Sequence, residues 1–247
     1  MKNLFVLITL FSAFTAQAQI RRASDNLFNL YQQDIAGKTP AVIQKESWDN
    51  YDKFVALDVN GQNMTNYYFQ DQNKKTSLTM TKATKVLEAA KANDVVSLHK
   101  YHKYDPANKG IGFCFGRAMF VNLYLVMNKF HRANIKKAFV VGPMSSGSWG
   151  WHITTIVQSK NTHGKEIWLA IDPVVGKVVN VKDWYKEMIT NFSDNGKLKL
   201  YIADAGKFGA GNSRYDEQGL SDPFYNNYFT DMVNWFHDND VSKELKL

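Results

Sequence analysis

The residues of this sequence best suited to nucleophilic chemistry are one cysteine, one histidine and one aspartate: Cys114, His152 and Asp172. A thiol attacks a carbonyl carbon as its thiolate, which requires a base within hydrogen-bonding reach and a group that orients that base. Cys114 is the chain's only cysteine, so no internal disulfide can use it. We therefore predict that Cys114 is a nucleophile, that His152 is its general base and that Asp172 orients the imidazole.

The stretch around Cys114 predicts a helix that starts at the cysteine. Gly110 and Gly112 permit a tight turn before it, and apolar residues recur at helical spacing from 119 to 127. Unpaired N–H groups and the positive end of the helix dipole favour a thiolate in a first turn. We expect the helix to end near Ala133. The alternative is that the cysteine is a small apolar core residue, a common role for a free thiol.

His152 and Asp172 flank two segments rich in β-forming residues, 152–158 and 166–171. A polar turn joins these segments, so we expect them to pair as antiparallel strands. If the pairing is centred near residue 162, both side chains lie at the same end of the hairpin. The alternatives are a core histidine at a sheet edge and an aspartate that starts a turn before a proline.

The rest of the chain carries both helical and strand patterns, which indicates an α+β fold. An Asn60-Gly61 turn between two apolar runs predicts a β-hairpin over residues 53–70. Helices are predicted at 24–36, 81–93, 184–189 and 222–237, and further strands at 138–141 and 198–202. The expected architecture is a helix bearing the cysteine, packed on an antiparallel sheet, with an N-terminal α/β extension.

The N-terminus predicts export. Residues 1–18 combine Lys2, an apolar segment and an Ala16-Gln17-Ala18 cleavage motif, which is the pattern of a secretory signal peptide. No later segment is apolar enough to span a bilayer, so we expect a secreted or periplasmic protein without a membrane partner. The remaining chain divides into an N-terminal subdomain or pro-segment at 19–95 and a catalytic domain at 96–247.

The distribution of charges and of possible metal-binding residues argues against nucleic-acid binding and against a metal site. The net charge of +7 comes from scattered lysines and arginines, so no nucleic-acid partner is predicted. His99, His102 and Asp105 have only a loose metal-ligand spacing, and we predict neither a metal nor a cofactor. A non-catalytic secreted binding protein remains the alternative to an enzyme.

Three short motifs resemble those of a known enzyme family. They are Cys114-Phe115-Gly116-Arg117-Ala118, Trp149-Gly150-Trp151-His152-Ile153 and Ile171-Asp172-Pro173. In order and spacing they resemble the Cys, His and Asp motifs of bacterial protein-glutaminases, which are secreted deamidases with a core related to transglutaminases and papain-like proteases. The resemblance spans residues 110–215 and includes Trp184.

The resemblance implies a transglutaminase-like or papain-like core in which the predicted triad deamidates glutamine side chains through an acyl-enzyme. The implied partner is a protein or peptide with an exposed glutamine, and we expect a monomer. A transglutaminase or a cysteine protease with the same triad remains open.

The resemblance also suggests further site residues. The backbone N–H of Cys114 would donate to the oxyanion, because a helix start aims it there. Asn108 is a position for the second donor, although a loop asparagine is more often a turn former, and this donor stays unassigned. Trp149 and Trp151 would wall the substrate slot, or else fill the core at the strand end.

Overall fold

The computed structural model describes residues 29–69, 77–108, 111–145, 150–207 and 220–246, with side chains in the first range described up to residue 57. The predicted signal peptide and Trp149 lie outside these residues.

An antiparallel sheet forms the centre of the fold. Its strands are Ile135–Val141 (β1), Trp151–Lys160 (β2), Glu166–Asp172 (β3), Lys177–Asn180 (β4) and Lys199–Asp204 (β5), in the spatial order β4-β3-β2-β1-β5. The helices are 29–35 (α1), Pro40–Phe69 (α2), Met80–Ala92 (α3), Cys114–Met127 (α4), Val181–Phe192 (α5) and Tyr228–Asp238 (α6). Helices packed on an antiparallel sheet confirm the predicted α+β class.

The two faces of the sheet carry separate hydrophobic cores. Successive residues of β1 point to opposite faces, so Phe139 and Val141 join the first core and Ala138 and Val140 join the second. Helices α3, α4 and α6 pack on the first face, and α2 and α5 pack on the second. Cys114 belongs to the first core.

The predicted β-hairpin over 53–70 is wrong, because residues 53–69 lie in the 30-residue helix α2. Ile43, Ser47 and Tyr51 are buried at a spacing of four residues along α2, which is the spacing of one helical face. Packing of this face holds the first half of α2 on the sheet, and the helix continues through the local turn signal of Asn60-Gly61.

Helix α4 ends at Met127, six residues before the predicted end near Ala133. The Tyr124 carbonyl of the last turn accepts two hydrogen bonds from Asn128, one from the side chain at 2.9 Å and one from the backbone N at 3.1 Å. Lys129 then takes a left-handed conformation with φ 65°. A left-handed residue after the last turn stops a helix, so the backbone turn at Lys129 sets this boundary.

The N-terminal helices cover the edge strand β5. Ser47 of α2 accepts a hydrogen bond from the backbone N of Leu200 at 3.1 Å. Lys199 Nζ donates to Glu46 at 2.6 Å and also to Asp34, which ties α1 and α2 to the same strand. An edge strand with unpaired backbone groups invites pairing with other chains, so this cover protects it.

Candidate active site

Cys114 is the first residue of α4 and is 6% exposed. Phe113, immediately before it, has left-handed backbone angles of φ 50° and ψ 24°, and its buried ring lies 4.3 Å from that of Tyr228. The backbone N of Ile111 donates to the buried carboxylate of Asp105 at 3.0 Å. These anchors hold the turn in a conformation that is costly for a residue with a Cβ, and so they fix where the helix begins.

His152 and Asp172 meet at one end of the hairpin formed by β2 and β3. His152 Nε2 lies 2.7 Å from Asp172 Oδ2, and the two residues are 1% and 2% exposed. Thr155 pairs with Ile171, so the hairpin is centred on residue 163, one residue later than predicted. The histidine therefore stands two positions from direct register with the aspartate. An offset of two keeps both side chains on one face, and they meet diagonally.

Asp172 accepts three hydrogen bonds. Oδ2 accepts from His152 and from Trp184 Nε1, each at 2.7 Å, and Oδ1 accepts from the backbone N of Val174 at 2.9 Å. Burial alone would raise the pKa of Asp172, but the charge of His152 and these donors hold it below its usual value. The carboxylate is therefore ionised at neutral pH.

The imidazole of His152 is positively charged at neutral pH. Burial lowers its pKa, but the charge and hydrogen bond of Asp172, together with the interaction with Cys114, raise it to about 10. Because Nε2 faces Asp172, the buried Nδ1 is the ring nitrogen that is left to serve Cys114. The two nitrogens thus exchange the roles they have in the serine protease triad. Thiol, imidazole and carboxylate form a set that can exchange a proton with a bound substrate.

Aromatic rings surround Phe115, the residue after the candidate nucleophile. Its ring centroid lies 6.4 Å from that of Trp151, 5.2 Å from that of Tyr225 and 5.9 Å from that of Phe229. Trp151 and Tyr225 are partly exposed. Of the two tryptophans predicted to wall a substrate slot, Trp151 thus lies beside the first turn of α4, whereas Trp149 falls outside the described residues.

The sequence motifs include two further residues of this site, Trp184 and Arg117, but gave neither of them a role. Trp184 reaches Asp172 from α5 on the second face of the sheet, a long-range contact that no local pattern indicates. Arg117 follows Cys114 by one helical turn and is 2% exposed. A single arginine within the apolar run of α4 was the signal that could have drawn attention to it.

The alternative metal site is not assembled among the described residues. His99 and His102 are exposed, and the Asp105 carboxylate accepts from Ile111 instead. Within the described ranges, no cluster of three His, Cys, Asp or Glu side chains could hold a metal ion. Asn108 is an exposed turn residue with φ 47°. In the same part of the chain, no helix has the length and apolar character needed to cross a membrane.

Comparison with known proteins gives matches among solved structures alone. No protein-family model and no curated protein match this chain. The crystal structure of the A47Q2 mutant of pro-protein-glutaminase is 16% identical over 66% of this chain, with a TM-score of 0.41. The crystal structure of protein-glutaminase is 16% identical over 63% of this chain and 83% of its own, with a TM-score of 0.42.

The NMR structure of protein-glutaminase from Chryseobacterium proteolyticum is 16% identical over 66% of this chain and 88% of its own, with a TM-score of 0.40. This chain spans 61% of the length of the pro-protein-glutaminase mutant. These matches indicate a distant similarity of overall architecture. The sequence identity and TM-scores are too low to transfer residue roles or activity.

Proposed function

We propose that this protein is a cysteine hydrolase that deamidates glutamine side chains of proteins or peptides outside the cytoplasm, acting as a monomer without a cofactor. The observation that carries the proposal is the 2.7 Å contact of His152 with Asp172 on an imidazole that also interacts with Cys114 at a helix start. The motifs around these three residues resemble those of protein-glutaminases, which supports glutamine as the substrate.

The first half of the reaction forms an acyl-enzyme. The Cys114 thiolate attacks the side-chain carbonyl carbon of glutamine, and the carbonyl electron pair moves onto oxygen. The first N–H groups of a helix have no intrahelical partner, so the Cys114 N–H stabilises this oxyanion. As the intermediate collapses, the C–N bond breaks and the His152 imidazolium gives its proton to nitrogen. Ammonia leaves, and a thioester and a neutral imidazole remain.

The second half uses water. Neutral His152 removes a proton from a water molecule, whose oxygen attacks the thioester carbon. The C–S bond breaks, which releases the glutamate side chain and restores the thiolate beside a charged imidazole. Throughout, the Asp172 carboxylate holds the ring and stabilises its positive charge, with Trp184 and Val174 holding the carboxylate in turn.

The burial of the triad favours a side-chain amide over a peptide bond. Cys114, His152 and Asp172 are each less than one-tenth exposed. A glutamine carries its amide on two methylene groups and can reach a recessed thiol. A backbone amide lies within the main chain, with side chains on both sides, and would require a wider groove. Trp151, beside the first turn of α4, is placed to contact the substrate side chain.

The experiment is incubation of the purified protein with casein, followed by three measurements on one sample: free ammonia, mass change at each glutamine, and the size of the products. Ammonia with conversion of glutamine to glutamate, and without crosslinks or new chain termini, is the expected result. Crosslinked products would identify a transglutaminase and new termini a protease.

Cys114→Ser is the matched control, because it exchanges the nucleophilic atom with little change in shape. Loss of ammonia release in this variant ties the activity to the thiol. If the wild-type protein leaves casein and shorter glutamine peptides unchanged, the proposal is wrong and a secreted binding protein becomes the better assignment.

A further inference from the structure

Arg117 is a buried cation one helical turn after Cys114, and the mechanism above does not use it. It is 2% exposed within a core of apolar and aromatic side chains. Burying a guanidinium removes it from water at a cost of several kcal/mol, roughly, unless a negative charge or a full set of hydrogen bonds compensates. The group that compensates the charge of Arg117 therefore indicates the role of this residue.

The hydrogen bonding of Arg117 is incomplete. Nη2 donates to the carbonyl oxygen of Gly112, whereas Nε and Nη1 make no hydrogen bond within the part of the chain that the structure describes. A guanidinium has five N–H donors, so this leaves much of its capacity unused. Hydrogen bonding therefore does not account for the buried charge.

The position of Arg117 points its charge at the start of α4. Residues three apart lie on the same face of a helix, and helical side chains lean toward the N-terminus. The bond from Nη2 to Gly112 confirms this direction, because that carbonyl lies two residues before Cys114. The backbone N of Arg117 also closes the first helical turn on Phe113 O, at 3.1 Å.

Tyr228 of α6 lies near both Arg117 and Cys114. Its ring packs on Gly116, where an added Cβ would come 2.0 Å from Tyr228 Cε1. Burial raises the pKa of Tyr228, nearby Arg117 lowers it, and Tyr104 and Cys114 raise it. The Tyr228 phenol thus interacts electrostatically with both Arg117 and Cys114, which places the two residues around one buried site.

Within the described ranges, the other ionisable groups around this site are bonded to groups other than Arg117. On β2 and β3, His152 and Asp172 pair with each other, and Trp184 also donates to the carboxylate. On the loop before α4, the Asp105 carboxylate accepts from Ile111. Tyr104 donates to the Asp231 carboxylate at 2.9 Å. Helix α3 also packs on α4, and its buried residues carry no charge: Ala83, Val86, Leu87 and Ala90.

We propose that Arg117 is a positioning residue: its guanidinium holds the Gly112 carbonyl and supplies the fixed positive charge that stabilises the Cys114 thiolate. The inference rests on the proposed function, since it assigns Arg117 to the same nucleophile. The negative charge of the thiolate compensates the buried cation, and the cation in turn keeps the sulfur ionised.

The experiment follows alkylation of Cys114 by iodoacetamide as a function of pH. Because Cys114 is the only cysteine, every label reports on this thiol. Arg117→Gln removes the charge but keeps a donor for Gly112, and Arg117→Lys keeps the charge. Native circular dichroism establishes that each variant is folded before labelling. The assay needs no substrate, so its outcome does not depend on whether glutamine deamidation is found.

The pH midpoint of alkylation is expected to rise by about one unit or more in Arg117→Gln, because the loss of a nearby opposite charge disfavours the ionised form. Arg117→Lys is expected to restore most of the wild-type midpoint. A folded Arg117→Gln protein with an unchanged midpoint overturns the proposal, and so does an Arg117→Lys midpoint equal to that of Arg117→Gln.

Lys137 provides the matched control. It is fully buried under the same helix, and its Nζ donates to the Ala118 carbonyl at 2.5 Å. Burial lowers the pKa of Lys137 well below its usual value, and its Nζ is bonded to Ala118 and Thr155 and not to the turn before Cys114. Lys137→Met should therefore destabilise the protein without moving the alkylation midpoint. An equal shift in both proteins would show that any disturbance of α4 alters the thiol, which contradicts a specific role for Arg117.

Discussion

His152 and Asp172 lie on neighbouring strands, two residues out of direct register, and join Nε2 to Oδ2 at 2.7 Å. The diagonal contact leaves the second ring nitrogen for Cys114 and the second carboxylate oxygen for Val174. Asp172 is thus the group through which the sheet fixes the orientation of the imidazole.

Asp172→Asn should lower turnover by roughly 10²- to 10⁴-fold with the fold intact, because an amide can stabilise the wrong tautomer of the ring. It should also lower the pKa of His152, since it removes the charge that opposes burial. NMR titration of the histidines measures the second effect. A fully active variant would exclude Asp172 from the mechanism.

The same pair predicts how stability depends on pH. The pKa of His152 is raised from 6.5 to about 10, so its contribution is complete below about pH 6.5 and is lost as the pH rises toward 10. The pKa of Asp172 is lowered from 3.8, so its contribution is present above that value and is lost as the pH falls further.

Urea unfolding across this range, with a His152→Gln/Asp172→Asn double variant as control, measures the difference in unfolding free energy between the two proteins. The difference should be greatest between about pH 4 and 6.5 and decrease on both sides. A difference that does not vary with pH would contradict the ion pair.

Trp184→Phe should destabilise the protein by about 1.5–3 kcal/mol, the usual range for a hydrogen bond to a charged group. It should also raise the pKa of Asp172, because one donor to the carboxylate is lost. Trp168→Phe is the matched control: Trp168 is equally buried in the second core. Turnover should fall in the first variant by a larger factor than in the second. Equal losses would assign Trp184 to packing alone.

Gly116→Ala should destabilise the protein by about 1–3 kcal/mol, the usual cost of overpacking, because the new Cβ would come 2.0 Å from the Tyr228 ring. The same change at an exposed helical position stabilises by about 1 kcal/mol, so the sign is diagnostic. Thermal or urea unfolding gives the measurement. Adding Tyr228→Leu should recover much of the loss relative to Tyr228→Leu alone, and no recovery would mean that the ring is not the obstacle.

We expect residues 29–69 to be a permanent part of the protein. Their removal would expose the second core around Tyr51 and leave the Leu200 backbone N without Ser47. A chain that starts at residue 70 should therefore be insoluble or inactive, whereas a control that starts at residue 29 should be active. Activity that increases several-fold when protease cuts between 70 and 110 would instead identify a pro-segment.

The sequence carried much of the local information about the site. A glycine-flanked cysteine before an apolar run is enough to predict where α4 starts, and two β-rich segments around a polar turn are enough to bring His152 and Asp172 to one end of a hairpin. The centre of the observed hairpin, residue 163, lies one residue after the predicted centre. Turn geometry sets this register and is not visible in a hydrophobic pattern.

Long-range packing accounts for what the sequence did not provide. The turn signal at Asn60-Gly61 is local, whereas the packing of α2 on the second face depends on a sheet formed by distant residues. Strand β4 has four residues, too few for a periodic signal. The contacts of Arg117 with Gly112 and of Trp184 with Asp172 arise only once α4 and α5 have packed.

The two cores of the sheet meet in the series Cys114, His152, Asp172 and Trp184, which begins in the first core and ends in the second. A loosening of either layer would displace one end of this series while most of the helices and strands persist. On slow heating, catalysis should therefore disappear before the far-ultraviolet circular dichroism changes. Rapid cooling from that intermediate temperature should restore catalysis, because the helices of each layer then only have to repack on a sheet that is still folded.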